Sequence, residues 1–337
     1  MKIAILSPVA WRTPPRHYGP WEQVASTIAE GLHERGMDVT LFATADSLTG
    51  CKLSGIIPKG YEEDKEQDPK VAECLHISHL MEQSGQFDII HNHFDFLPLT
   101  YSRLIQCPMV TTIHGFSSPK IIPVYKQFND INYYVSISNA DRNAALKYIA
   151  TVYNGIDKRQ FDFNDVPRDY LLYFGRIHHD KGTYEAIQIA KQSKRKLIIA
   201  GIVQDQAYFD EKVAPWINNE DVLYLGSAGP QQRNELLRNA SALLHPINFN
   251  EPFGLSVAES MFCGTPVIAF RKGAMGELII DGKTGFLVDT INDAVERLPN
   301  IRSINRLDCR EWAELNFSRE KMVGDYIEVY EEVLELN

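Results

Sequence analysis

The sequence predicts an α/β protein of two doubly wound domains, and three observations predict it. Short apolar strands alternate with helical patterns along the whole chain, as in parallel sheets covered on both faces. The strands fall into two sets, one in each half, and each set is large enough for its own sheet. A chain of 337 residues is also long for a single core, which favours two domains of ordinary size.

The first half is expected to give strands at residues 2–7, 38–43, 88–91, 109–114, 133–136 and 151–152. The opening run Met1-Lys2-Ile3-Ala4-Ile5-Leu6 is too short for a signal peptide and ends at Ser7-Pro8, so it reads as the first strand. The loop after it carries Trp11, Arg12, Pro14, Pro15, Arg16, His17 and Tyr18 before Gly19. Trp11, Tyr18, Trp21 and Glu22 offer apolar faces with polar rims, which suits a sugar-like ligand; plain packing is the alternative for each aromatic. Residues 61–70, rich in Glu, Asp and Lys, read as an exposed loop or helix edge.

His91-Asn92-His93-Phe94-Asp95 follows the third strand, and alternation puts His91 and His93 on one face. A metal would need Asp95 as a third ligand from the same short segment, so hydrogen bonding to a bound ligand by His93 and Asp95 is the preferred reading. His114, before Gly115, stands at the carboxyl end of the fourth strand, the rim where ligands bind in open α/β sheets. A structural histidine satisfied by backbone groups is the alternative. The domain junction falls within residues 154–169, where Asn154-Gly155 and Pro167 interrupt the periodicity and acidic residues cluster.

The second half is expected to give strands at 170–174, 196–200, 222–225, 242–245, 266–270 and 285–288. Gly175-Arg176 closes the first of these, and Lys181-Gly182 precedes the next helical run, so two cations stand at a strand end suited to a diphosphate. Solvated surface charges are the bland alternative. Glu251-Pro252-Phe253-Gly254-Leu255-Ser256-Val257-Ala258-Glu259 reads as a loop that delivers an anion to a helix N-terminus. Apolar spacing then continues to Cys263, with Gly264 and Pro266 as the stop. Glu251 before the helix and Glu259 in its second turn lie too far apart to act as one carboxylate pair, and fit hydroxyls on two parts of a long ligand. An ordinary buried helix with a capping glutamate is the alternative. In the last segment Met322, Val323, Tyr326, Val329, Tyr330 and Val333 form one face of a terminal helix.

Composition narrows the function. Hydrophobic residues make up 44% and charged residues 23%, an ordinary globular balance. The formal net charge of -10 argues against a nucleic-acid-binding face, and the one dense basic run, residues 191–196, reads as a solvated helix end. Five cysteines without a Cys-x-x-Cys pair indicate neither a disulfide framework nor a zinc site. Nothing approaches a membrane span, so a cytoplasmic protein is expected.

Taken together the motifs resemble the retaining glycosyltransferases of family 4, which have the GT-B fold. The resemblance covers nearly the whole chain, in order: Tyr18-Gly19, His114-Gly115, Asn154-Gly155-Ile156-Asp157, Gly175-Arg176 with Lys181-Gly182, and Glu251 to Glu259. Gly264-Thr265-Pro266-Val267-Ile268-Ala269 and Gly285-Phe286-Leu287-Val288 complete it. It implies two Rossmann-like domains facing a central cleft: an acceptor domain at 1–160 and a nucleotide-sugar domain at 161–317. The terminal helix, 318–337, would cross back to the first.

The implied reaction moves a hexose from a nucleotide-diphosphate sugar to a hydroxyl with retention, by front-face attack and without a metal or other cofactor. By the same resemblance His114, Arg176, Lys181 and Glu251 are catalytic. Gly19, Phe253, Gly254, Leu255 and Glu259 hold the donor, with Glu259 on the ribose, and Tyr18, Trp21, His93 and Asp95 are acceptor-side. The family often carries Gly-Gly where this chain has Gly19-Pro20, which removes one N–H from that phosphate contact. The loop Gly226-Ser227-Ala228-Gly229-Pro230 is placed to meet the base; UDP-glucose is favoured over GDP-mannose, and the acceptor is expected to be a soluble saccharide or small molecule. A sugar phosphorylase and a non-catalytic nucleotide-sugar-binding protein are the alternatives.

Overall fold

The computed structural model describes residues 1–337. They form two compact units, Met1–Gly155 with Arg319–Asn337, and Ile156–Ser318. The chain changes unit between Gly155 and Ile156, inside the stretch where periodicity breaks down, so residues 156–160 belong to the second unit and not to the first.

The first unit holds a sheet of β1 (Lys2–Leu6), β2 (Asp38–Phe42), β3 (Lys52–Ser54), β4 (Ile89–Asn92), β5 (Met109–Ile113), β6 (Tyr133–Ser136) and β7 (Tyr148–Thr151). The order is β3-β2-β1-β4-β5-β6-β7, and every pairing is parallel. Ile3, Ala4, Ile5 and Leu6 are all fully buried, which is why β1 reads as a continuous apolar run and not as an alternation. Two departures from the sequence reading have a common cause. β3 is a three-residue edge strand, and β7 starts at Tyr148 and is only half-buried along its length, so neither shows the apolar run of a central strand.

The second unit has β8 (Leu171–Phe174), β9 (Leu197–Ala200), β10 (Val222–Tyr224), β11 (Ala242–His245), β12 (Val267–Phe270) and β13 (Gly285–Val288), in the order β10-β9-β8-β11-β12-β13, again all parallel. In each sheet the strand order reverses once, at β1 beside β4 and at β8 beside β11. Loops leaving the carboxyl ends of such neighbours diverge and open a crevice, the usual ligand position in this architecture.

The helix Arg319–Glu335 belongs to the first unit and buries Met322, Val323, Tyr326, Val329, Tyr330 and Val333, the stripe its spacing predicts. It lies against the helix Pro20–Glu34, where Gly31 stands directly under Val323: a Cβ on Gly31 would come within 2.5 Å of Val323 Cγ2. Its tyrosines reach the sheet, Tyr330 Oη meeting His91 Nδ1 at 2.6 Å and Tyr326 Oη meeting Thr112 Oγ1 at 2.6 Å. Arg319 pairs with Glu34 at 2.6 Å. No helix is long and apolar enough to cross a membrane, and all five cysteines are free thiols.

Candidate active site

In the second unit the crevice between β8 and β11 gathers the charged residues. β8 ends at Phe174, and the chain runs through Arg176 into a 3-10 turn, His179–Lys181, before the helix Thr183–Gln192. Gly182 has φ 72°, and a Cβ there would stand 1.9 Å from the carbonyl oxygen of Pro246, so only glycine lets the turn lie on the loop after β11. Asn248 N–H also donates to the Asp180 carbonyl at 2.7 Å. These contacts bring Lys181 Nζ to 2.6 Å from Glu251 Oε2, with both side chains largely buried. The ammonium of Lys181 also sits 4.6 Å over the ring of Phe249.

Burial on its own would raise the Glu251 carboxyl, but His245 and Lys181 outweigh it and hold the group well below the usual carboxylate range. His245 Nε2 is 3.7 Å from Glu251 Oε2, beyond hydrogen-bonding reach, so we assign most of that lowering to the lysine at 2.6 Å. Arg176 donates to Gln204 Oε1, which holds the guanidinium at the end of β8.

The loop after Glu251 turns into the helix Leu255–Phe262 through Gly254, whose φ of 100° makes it the N-cap. Phe253 is buried beneath it, edge-on to Phe317 at 5.7 Å. Phe253, Gly254 and Leu255 therefore stand where a helix directs its first N–H groups outward. Glu259 lies in the second turn, buried, with Oε1 3.0 Å from Arg233 Nη1. Burial raises its carboxyl and Arg233 pulls the other way, leaving it raised. The sequence reading missed Arg233 and His245. His245 closes β11 as His114 follows β5, the same strand-end signal; Arg233 sits on an ordinary helix, Pro230–Asn239, and gives no local cue.

The first unit holds a separate group. His114, just beyond β5, is buried, with Nε2 2.9 Å from His93 Nδ1 and its ring stacked on Trp21 at 5.4 Å. Burial lowers its imidazole to about 3, so it is neutral at physiological pH. His93 has no exposed surface and lies in ring contact with His91 at 4.0 Å, so its reach is through His114 and not to a bound molecule directly. Asp95, with φ 70°, is drawn away from the two histidines and accepts the Tyr125 hydroxyl, so the short segment does not close into a three-ligand set. Gly19 is the N-cap of the helix Pro20–Glu34, and Tyr18 meets Trp11 edge-on at 6.3 Å. Glu22 in that helix is buried, accepts the Trp11 N–H at 3.2 Å, and is pushed by burial up to about 7. Tyr18, Gly19, Trp21 and His114 thus surround one helix N-terminus, whereas His93 backs the group and Asp95 stands apart.

Two family models match the chain along its length: "Glycosyltransferase Family 4" over residues 22–160 and "Glycosyl transferases group 1" over residues 156–302. A glycogen synthase of Mycobacterium tuberculosis is 25% identical over an alignment that covers 82% of this chain and 80% of the relative. Among solved structures, sucrose-phosphate synthase from Thermosynechococcus elongatus superposes with a TM-score of 0.81 at 18% identity, over the full length of both chains. Anabaena Alr3699/HepE in complex with UDP and glucose gives a TM-score of 0.76 at 19% identity, over 98% of this chain and 99% of that one. With two parallel sheets of this topology, motifs in family order, and models matching both halves, the chain belongs to the family 4 glycosyltransferases of GT-B fold.

Proposed function

We propose that the chain is a retaining hexosyltransferase that takes its sugar from a nucleotide diphosphate, UDP-glucose before GDP-mannose, and passes it to a hydroxyl of a soluble saccharide or small molecule. The observation that carries this reading is the Lys181–Glu251 pair at 2.6 Å, set at the strand reversal and next to the helix that begins after Gly254. A cation, an ionised carboxylate and a ring of N–H donors at one crevice suit a ligand with a diphosphate at one end and sugar hydroxyls at the other. The UDP, glucose and UDP-glucose found with HepE, a protein of the same fold, support the choice of base.

In this reading the bond between the anomeric carbon and the diphosphate oxygen breaks. The acceptor oxygen bonds to that carbon on the same face, and its proton passes to the departing phosphate. Arg176, Lys181 and the N–H groups of Phe253, Gly254 and Leu255 meet the charge that builds on the leaving group, each such donor being worth about 3 to 4 kcal/mol in rate. No metal is asked to do this. Glu251 accepts sugar hydroxyls, and Glu259, steadied by Arg233, accepts those of the ribose. On the first unit Gly19 and His114 contact the donor, and Tyr18 and Trp21 the acceptor, with His93 orienting His114 and Asp95 setting the loop that follows it.

The experiment is proton NMR of UDP-glucose incubated with the protein and a panel of saccharide acceptors. Consumption of the donor with an α-configured product is expected. A β-configured product, or a glycosyl-enzyme trapped on Glu251, contradicts the mechanism.

A further inference from the structure

We propose that His178, His179 and Asp205 form a binding site for one divalent transition-metal ion of the zinc class. The site is built by a short parallel bridge between Ile177 and Val203, laced by the N–H groups of Gln204 and Asp205, which donate to the Ile177 carbonyl at 3.1 and 3.2 Å. That bridge sets the residues after Ile177 beside those after Val203. Side chains of consecutive residues on an extended strand point apart. Here the 3-10 turn at His179–Lys181 instead brings the two imidazoles together, with ring centroids 4.1 Å apart.

One ligand atom from each of the three residues lies within 4.8 Å of the other two. His179 Nδ1 is already 3.0 Å from Asp205 Oδ2, and His179 is exposed, so rotation about its side-chain bonds is enough to close the set. Asp180 supplies the outer contacts: its Oδ1 is 3.2 Å from His179 Nε2, and its N–H donates to His178 Nδ1 at 3.3 Å. Asp205 is fixed by its other oxygen, which accepts the Tyr208 N–H at 3.0 Å. A carboxylate that orients a ligating histidine is the usual support of such sites.

The donor set agrees with the geometry. Two imidazoles stand beside the carboxylates of Asp180 and Asp205. Imidazole with carboxylate selects zinc, cobalt, nickel or copper over magnesium and calcium, and three protein ligands leave a coordination position open.

The two histidines lie on the chain between Arg176 and Lys181, and Gln204, next to Asp205, holds Arg176. An ion here would rigidify the segment that joins Arg176 to Lys181 and add charge beside both. That consequence, unlike the binding itself, rests on the proposed diphosphate role of Arg176 and Lys181. No chemical step is assigned to the ion.

Calorimetric titration of Zn²⁺ into the metal-free full chain tests the site, with no nucleotide present. The wild type is expected to bind one equivalent; His179→Ala should bind at least about 10-fold more weakly, and the double variant His178→Ala/His179→Ala should lose the site. Co²⁺ substitution should give visible d–d absorption that the double variant lacks. Equal isotherms in wild type and variants overturn the proposal, as does loss of binding in Cys74→Ser, which would assign the zinc to that exposed thiol. UDP titrated into metal-free His179→Ala should bind as to the wild type, so a failed metal site is distinguishable from a failed donor site.

Discussion

Replacing Glu251 with glutamine keeps the shape of the side chain and removes its charge, which leaves Lys181 largely buried without its counterion. Breaking such a pair costs about 3 kcal/mol or more of stability. We therefore expect Glu251→Gln to lower the unfolding free energy by that amount in urea titrations and to reduce kcat by about 100-fold. Wild-type turnover in this variant would remove Glu251 from the site. Glu22 makes a different prediction. Its folded carboxyl sits near 7 against an ordinary value of 4.5, so the folded state holds its proton more tightly than the unfolded state. Protonation therefore favours folding, and the stability it gives is lost as pH rises from 4.5 through 7. Glu22→Gln should consequently be more stable than the wild type above pH 7, by on the order of 3 kcal/mol at most, with the gap shrinking as pH falls toward 4.5. A pH-independent difference would show that Glu22 is ionised in the fold. Arg176, Lys181 and Glu251 were legible in the sequence because each follows a strand that reads plainly. Gln204, which holds Arg176, and Arg233, which meets Glu259, were not, since both contacts arise only through tertiary packing.

The contact between the helices Pro20–Glu34 and Arg319–Glu335 turns on the absence of one side chain. Gly31→Val would drive a branched residue into Val323, and overpacking of this kind costs about 1 to 3 kcal/mol. Thermal melts should show the loss, and the double variant Gly31→Val/Val323→Ala should recover part of it. No recovery would mean that the helix contact is not the cause. Tyr330→Phe should cost about 1 kcal/mol, because His91 Nδ1 loses its partner in a fully buried place. Central strands and this terminal helix were readable from periodicity, since each buries a continuous run or a clean stripe. β3 escaped that reading, and β7 was caught only at its end, at 151–152, because both are half-exposed or lie at the sheet edge, where side chains need not be apolar. The helix Pro69–Met81 was blurred by the charged stretch before it, although Asp68 caps it by accepting from Lys70 and Val71.

For the molecule as a whole, acid should act first on the first unit. His76, His91, His93 and His114 are all buried with imidazoles held below their ordinary value of 6.5 by that burial, His76 at about 4 and His114 at about 3. Groups depressed in this way favour the folded state when neutral, so that stability is lost as pH falls below 6.5. Each contributes a slope of up to about 1.4 kcal/mol per pH unit. Hydrogen exchange between pH 7 and 5 should therefore show the Met1–Gly155 unit opening before Ile156–Ser318; the reverse order would contradict this reading. Two α/β units could be read from the alternation of strands and helices, and their family from motif order, whereas the donor base is written in no local pattern. The donor is reached most directly by calorimetric titration of UDP, GDP and ADP and their sugar conjugates into the wild type and Lys181→Ala. The account predicts that UDP and UDP-glucose bind and that Lys181→Ala weakens both by about 10-fold or more. Binding of no nucleotide, or equal binding to the variant, would contradict it.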